Sequence, residues 1–401
     1  MLNLRILALA GGVALIPMLN AGASGSNLPT LVSPSLHIQT TKGMQGRFAV
    51  LPARQFSLPT ALSQSAAAAT IPLWSRHITS GGTSYLYSMV GRNPFVAQTQ
   101  QTTDIRAVVI PIKLTFQSFG NATFDPNQKD PTCSPAGTAS ALVNASPLFN
   151  PIAGYPGGTY IGTGEYVDLF QRANYFTLTN SGGINPDYHV NLVYTRASEV
   201  PVNVSGGDVV PGTCGNIGLM DFSTWDNYLQ TMLFPALAAA TPKLAPPTRL
   251  AVILLYNVVL YDGTTSNCCI LGYHSAFNDP AYGGAFHTYS SVEFDTNRSF
   301  SGVSDTSAMS HEIAEWMDDP SGANPTPSWG NIGQVSGCQA NLEVGDPLSG
   351  TLDQIYMSSN GYTYHVQDLA FTSWFYRQKN STGVNGWYSL LGNFLTFSEP
   401  C

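Results

Sequence analysis

Three residues close together, His311, Glu312 and Glu315, could do chemistry that the rest of the chain only supports; they lie in the stretch Ser304–Pro320, SDTSAMSHEIAEWMDDP. A neutral imidazole and a carboxylate are both ligands for a divalent cation. At i and i+4 on a helix His311 and Glu315 lie one above the other, so both can reach one ion. Glu312 points about 100° away around the helix yet stays beside that ion. There a carboxylate can act as general base toward a metal-activated water. The chain holds only seven histidines and seven glutamates, so the clustering is not a product of abundance. A polar i,i+4 pair also serves an ordinary amphipathic helix, and the surrounding elements have to separate the two readings.

The stretch carries the signals of one short helix. Asp305 or Thr306 can cap its start, because either side chain accepts from a free N–H of the first turn. Pro320 ends it, since proline lacks an N–H and excludes helical geometry from the residue before it. Met309, Ile313 and Trp316 recur at helical spacing and should face a core. Ala308, His311, Glu315 and Asp318 share another face. Asp318 and Asp319 are either supporting partners of the site or plain helix-end groups.

Upstream, β-branched runs predict strands at Ile105–Phe116, His189–Thr195, Arg249–Tyr261, Asn267–Phe277 and Thr288–Phe294. Arg249–Tyr261 (RLAVILLYNVVLY) is the most apolar and should lie centrally. Helical spacing marks Gly164–Phe176, and Ser223–Ala240 with an interruption at Pro235. Strands mixed with a few helices, followed by the His311 helix, make an α+β domain. It should begin near residue 103, loop-rich and held by disulfides, and run through residues 103–401. Residues 24–102, rich in Ser, Thr, Ala, Gln and Pro and including the low-complexity Ala61–Thr70, read as an N-terminal extension, with a pro-segment over the site as the sharper alternative.

Residues 1–23 read as a secretory signal, with Arg5, the apolar Ile6–Met18 and the small residues Ala21, Gly22 and Ala23. About 380 residues follow, enough for one large domain. No later apolar run is long enough to predict a membrane span. Charged residues make up 10% of the chain, against about 25% in ordinary soluble domains. The net charge is −8 with no Lys/Arg run, which argues against a nucleic-acid partner. So few ionisable groups leave little charge repulsion at low pH, and acid tolerance is expected.

H-E-x-x-E at His311–Glu315 resembles the H-E-x-x-H helix of zincin metallopeptidases, with Glu315 where the family has its second histidine. The order of S-H-E-I-A-E-W-M-D-D-P (Ser310–Pro320), L-E-V-G-D (Leu342–Asp346) and Val366-Gln367 looks like a group of secreted bacterial proteins. The C-x-L-G-Y-H element at Cys269–His274 fits the same group. More distantly, the segment order is similar to plant exordium-like wall proteins, which lack the H-E pair. The resemblance covers roughly residues 105–375 and implies a zincin-like mixed sheet with an active-site helix. It implies His311 and Glu315 as zinc ligands, Glu312 as general base, and Glu343 or Asp346 as the third ligand. His274 would be an extra ligand or an electrophile at the oxyanion; His287, His365 and Tyr289 are weaker candidates for that role. One histidine with carboxylates is a harder donor set than two histidines, so calcium, manganese or iron are alternatives to zinc.

Export makes disulfides expected among Cys133, Cys214, Cys268, Cys269, Cys338 and Cys401. Successive strand side chains point to opposite faces, so Cys268 and Cys269 should take two different partners; six cysteines allow fifteen pairings, and one candidate set joins Cys133 to Cys214 and gives Cys338 and Cys401 to the adjacent pair. Five N-x-S/T sequons occur, at Asn121, Asn144, Asn203, Asn297 and Asn380. The leading expectation is a secreted zinc peptidase acting on protein or peptide substrates. The alternative is a noncatalytic surface or wall-associated protein with a structural metal, calcium among the candidates. A carbohydrate-active enzyme ranks last, because two glutamates on one helical turn sit too close to straddle a sugar ring.

Overall fold

The computed structural model describes residues 28–51, 70–129, 133 and 136–401. The signal segment and most of Ala61–Thr70 lie outside the described residues. In chain order the strands are β1 (Leu31–Ser33), β2 (Arg47–Leu51), β3 (Leu73–Ser80), β4 (Thr83–Val90), β5 (Thr102–Phe116), β6 (Ala122–Phe124), β7 (Ile152–Gly154), β8 (Gly162–Gly164), β9 (His189–Arg196) and β10 (Val200–Gly206). They continue as β11 (Asp208–Pro211), β12 (Asn216–Asp221), β13 (Arg249–Tyr256), β14 (Val258–Tyr261), β15 (Cys268–Asp279), β16 (Ala285–Phe294), β17 (Pro325–Ile332), β18 (Val335–Asn341), β19 (Leu352–Met357) and β20 (Tyr362–Gln367). Three helices matter to the site: α1 (Tyr166–Asn174), α2 (Phe222–Tyr228) and α3 (Ser307–Asp318).

A mixed sheet runs in the order β1-β10-β5-β13-β16-β15-β14-β12-β11, with β2 on β15 and both β6 and β9 on β5. Strand β5 is apolar enough to be buried on both faces. Val109 and Ile105 face the layer that holds α1 and α3, while Ile110, Ile112 and Leu114 face the layer that holds α2. Its Pro111, which cannot donate to a ladder, sits where the neighbour changes: β9 pairs as far as Val109 and β10 begins at Ile112. The residues of the N-terminal extension contribute to the same body. β1 lies beside β10, β2 beside β15, and the β3–β4 hairpin packs Trp74, Tyr87 and Met89 into the core around α3.

Three expectations change. The apolar run Arg249–Tyr261 is two strands, β13 between β5 and β16, and β14 between β12 and β15. The break is Asn257, whose φ of 51° is left-handed geometry that asparagine tolerates better than a β-branched residue. Its amide bonds Thr296 on both sides. Pro235 does not stop its helix: α2 passes into a wider turn at Leu229–Leu233, and Phe234–Ala239 continues beyond it with Pro235 in the first turn. The wider turn accommodates the proline ring and its missing N–H. The disulfides are Cys133–Cys214, Cys268–Cys269 and Cys338–Cys401. The adjacent pair Cys268–Cys269 closes on itself rather than taking two partners, and the peptide joining them is cis. Of the sequons, Asn297 is fully buried and its amide bonds Cys214 O.

Candidate metal centre

Helix α3 packs against the α1 side of the sheet with all twelve of its residues buried. A helix of that length is marginal alone. It is held by Met309, Ile313, Trp316 and Met317 in the core, where each such side chain contributes about 1.5–3 kcal/mol on burial. Neither expected cap forms as a side-chain bond to the first turn: Thr306 Oγ1 donates to His365 O, and Asp305 Oδ1 accepts from Thr306 N and His365 N. The start is instead tied to β20. The far end turns at Asp319, whose carboxylate accepts from Ala323 N and Asn324 N.

Two glycines let other elements approach the helix. A Cβ at Gly272 of β15 would lie 2.8 Å from Glu312 Cγ. A Cβ at Gly345, in the loop after β18, would lie 2.4 Å from His311 Nδ1. Through these contacts His274 comes from β15, and Glu343 and Asp346 come from the Gly345 loop. All six sequence-predicted site residues therefore converge, each at 5% exposure or less.

His311 Nε2 lies 3.0 Å from Glu315 Oε1 and 3.5 Å from Asp346 Oδ1. Glu315 Oε1 also accepts from Gly345 N and Asp346 N. On the other side of the same carboxylate, His274 Nδ1 is 3.7 Å from Glu315 Oε2 and 3.2 Å from Glu312 Oε2. Two overlapping donor sets result, His311–Glu315–Asp346 and His274–Glu312–Glu315. Glu343 belongs to neither: its Oε2 is 4.0 Å from His274 Nε2 and its Oε1 accepts from Asn341 Nδ2.

Both imidazoles are oriented from behind. Gln367 donates its amide to Gly345 O, which leaves its Oε1 as acceptor for His311 Nδ1 at 3.1 Å. The Nε2 of His311 is then the atom facing the carboxylates. His274 Nε2 donates to Asp319 O at 3.0 Å, which turns Nδ1 toward Glu312.

Electrostatics single out the same cluster. Among the described residues, Glu312, Glu315, Glu343 and Asp346 have no lysine or arginine partner. Burial pushes Glu312 and Glu343 well above the usual carboxylate range, with the Glu315 charge adding to it. Burial likewise lifts Asp346 to about 6. Glu315 goes the other way: burial disfavours its charge, but the His311 imidazole outweighs that and holds it low. Burial alone would lower His311, yet the carboxylates of Glu315, Asp346 and Glu312 hold it well above its usual value. His274 is pushed down to about 4, chiefly by burial.

These groups fit a divalent cation. Buried unpaired polar atoms are costly, and here they are His311 Nε2 and Glu312 Oε1, neither with a hydrogen-bond partner. His311 Nε2 is close to two carboxylate oxygens but aimed at neither, the convergence expected around an ion rather than along an N–H···O line. The nitrogen and oxygen donors lie within 4.8 Å of one another in each set.

The other candidates lie elsewhere. His287 bonds Asp279 at 2.7 Å among Phe234 and Phe277 on the α2 face. Tyr289 donates to Asp226 on that face, and His365 bonds Asp305 at 2.6 Å. Asp318 is tied to Gln171 of α1, and Asp319 supports His274 through its backbone carbonyl. Two residues had no signal in the sequence. Phe48 of β2 stacks on His311 with ring centroids 3.6 Å apart. Gln334 accepts from Phe48 N, donates to Phe48 O, and donates to Asp346 Oδ1. Among the described residues no helix is long and apolar enough to cross a membrane. No family model, no curated protein and no solved structure matches the chain.

Proposed function

We propose that this chain is an exported metal-dependent hydrolase, a peptidase with zincin-like use of its site helix and zinc as the metal. Three disulfides suit an oxidising compartment. The observation that carries the reading is Glu312, fully buried beside the donors with one oxygen unpaired. Such a carboxyl destabilises the fold, and a purely structural metal site has no use for it.

His311, Glu315 and Asp346 would hold the metal. A divalent metal bound there supplies Lewis acidity, acidifying a water and polarising a carbonyl. Glu312 is the proton acceptor, with Oε1 unpaired and Oε2 3.2 Å from His274 Nδ1. His274, neutral under ordinary conditions because of its depressed pKa, donates from Nε2 to Asp319 O, so its Nδ1 is an acceptor that can hold the Glu312 carboxyl once Glu312 has taken up the proton. Gln367 fixes the His311 ring so that Nε2, not Nδ1, faces the metal position.

Glu312→Gln preserves shape and removes the base. Hydrolysis of a peptide substrate should fall by about 10²–10⁴-fold, with metal content and Tm nearly unchanged; retained activity contradicts the reading. One observation favours a noncatalytic protein with a structural metal: the site is closed to solvent. That alternative predicts no hydrolysis in the wild type under any condition that opens the site.

A further inference from the structure

The closure has a local cause. Strand β16 covers one edge of β15, while β14 pairs with β15 only near Cys268 and Ile270. From Ile270 to Ser275 the remaining edge is taken by β2, running parallel to β15. The register sets Phe48 beside Gly272 and Val50 beside His274, so Phe48 and Val50 share the face that carries His274. The Phe48 ring lies flat over the His311 imidazole, 17° from parallel.

Most polar contacts of this segment are to its main chain. Gln334 takes Phe48 N at 2.6 Å and Phe48 O at 3.1 Å. Ser275 Oγ donates to Leu51 O, and Cys269 N donates to Gln45 O. The Arg47 side chain is exposed. What the groove reads is an extended backbone plus one large apolar side chain over His311, the pattern of strand addition at a sheet edge. Because Gln334 holds the Phe48 carbonyl, the segment offers the donors a ring rather than a free amide.

We propose that the groove between β15 and Gln334 is the substrate cleft, that it takes an extended peptide with an aromatic or bulky apolar residue over His311, and that Arg47–Leu51 fills it in cis as an inhibitor. This rests on the hydrolase reading of the same site. A tethered segment competes at an effective concentration in the millimolar range, so the intact chain excludes free peptide.

The test uses the full chain, the Phe48→Asp variant, and a labelled synthetic peptide with the sequence of Gln45–Leu51, QGRFAVL. Anisotropy should show one-to-one binding to the variant, at least about tenfold tighter than to the wild type. A control peptide with aspartate in place of its phenylalanine should not bind. Equal binding to both proteins, no binding to a folded variant, or equal binding of both peptides overturns the proposal. Hydrogen exchange on the wild type keeps it testable if the variant does not fold. The amides of residues 47–51 should exchange at least about tenfold faster than those of the β15–β16 ladder, and equal protection overturns it. Turnover of the peptide is followed in parallel. Binding without turnover leaves the cleft standing and removes the hydrolase; turnover without a difference between the two proteins removes the inhibitor.

Discussion

Gln367 is the residue whose loss separates positioning from ligation. Its Oε1 faces His311 Nδ1 and its amide faces Gly345 O, so it ties His311 to the loop that brings Asp346. Gln367→Leu keeps the volume roughly and removes the acceptor. Metal affinity should fall about 10–100-fold, measured by competition with a chelator of known affinity; an unchanged affinity would mean that Gln367 does not orient the ring. Helical period alone made His311 and Glu315 legible in the sequence, because i and i+4 share a face whatever the fold. Asp346 and His274 were legible as candidates through the resemblance, from the L-E-V-G-D and C-x-L-G-Y-H elements that carry them. Phe48 and Gln334 were not, since they meet across a separation of 286 residues and neither residue type marks a site by itself. Gly345 shows the limit from the other side: the sequence displays the glycine, but the 2.4 Å clearance that requires it exists only once helix and loop meet.

At the scale of elements, the site depends on how α3 is seated. Its start is tied to β20 through Asp305, which accepts from His365 N and from His365 Nδ1 at 2.6 Å. The hydrogen bond to Asp305, opposed by partial burial, raises the His365 pKa above 6.5. A histidine raised in the folded state contributes stability that is fully present below its unfolded value and is lost as pH rises through the folded one. His365→Gln should therefore lower stability by on the order of 1–2 kcal/mol in mild acid. The gap between variant and wild type should narrow as pH rises past the folded pKa, read from urea melts across pH. A gap that is constant or widens with pH would contradict a charged pair there. The strands and helices themselves were largely legible from apolar patterning. What patterning missed are the points where the backbone changes course: the turn at Asn257 that sends β13 and β14 to different places in the sheet, and the Cys268–Cys269 pair. The turn depends on left-handed backbone geometry at one residue, and the disulfide on which cysteines meet; neither is written in a hydrophobic period.

For the whole molecule, the distribution of charge is the main clue. A chain with 10% charged residues and a net charge of −8 places four carboxylates and two imidazoles in one buried cluster, with no lysine or arginine partner among the described residues. Burying such a set without compensation is costly, and a bound divalent cation is the simplest compensation. Composition pointed to an exported, charge-poor protein, but it carried no information on how the N-terminal residues fold back. β1, β2 and the β3–β4 hairpin are built into the same body as the site, and β2 covers it. Among the described residues β16 pairs along one edge of β15, β14 takes the other near Cys268 and Ile270, and β2 takes that edge from Ile270 to Ser275.

The most direct test of the central claim is elemental analysis of protein purified without chelators, alongside a His311→Ala variant. One equivalent of a divalent metal, zinc first, is expected in the wild type, and its loss in a variant that still folds. No metal in the wild type, or equal metal in both proteins, would contradict it.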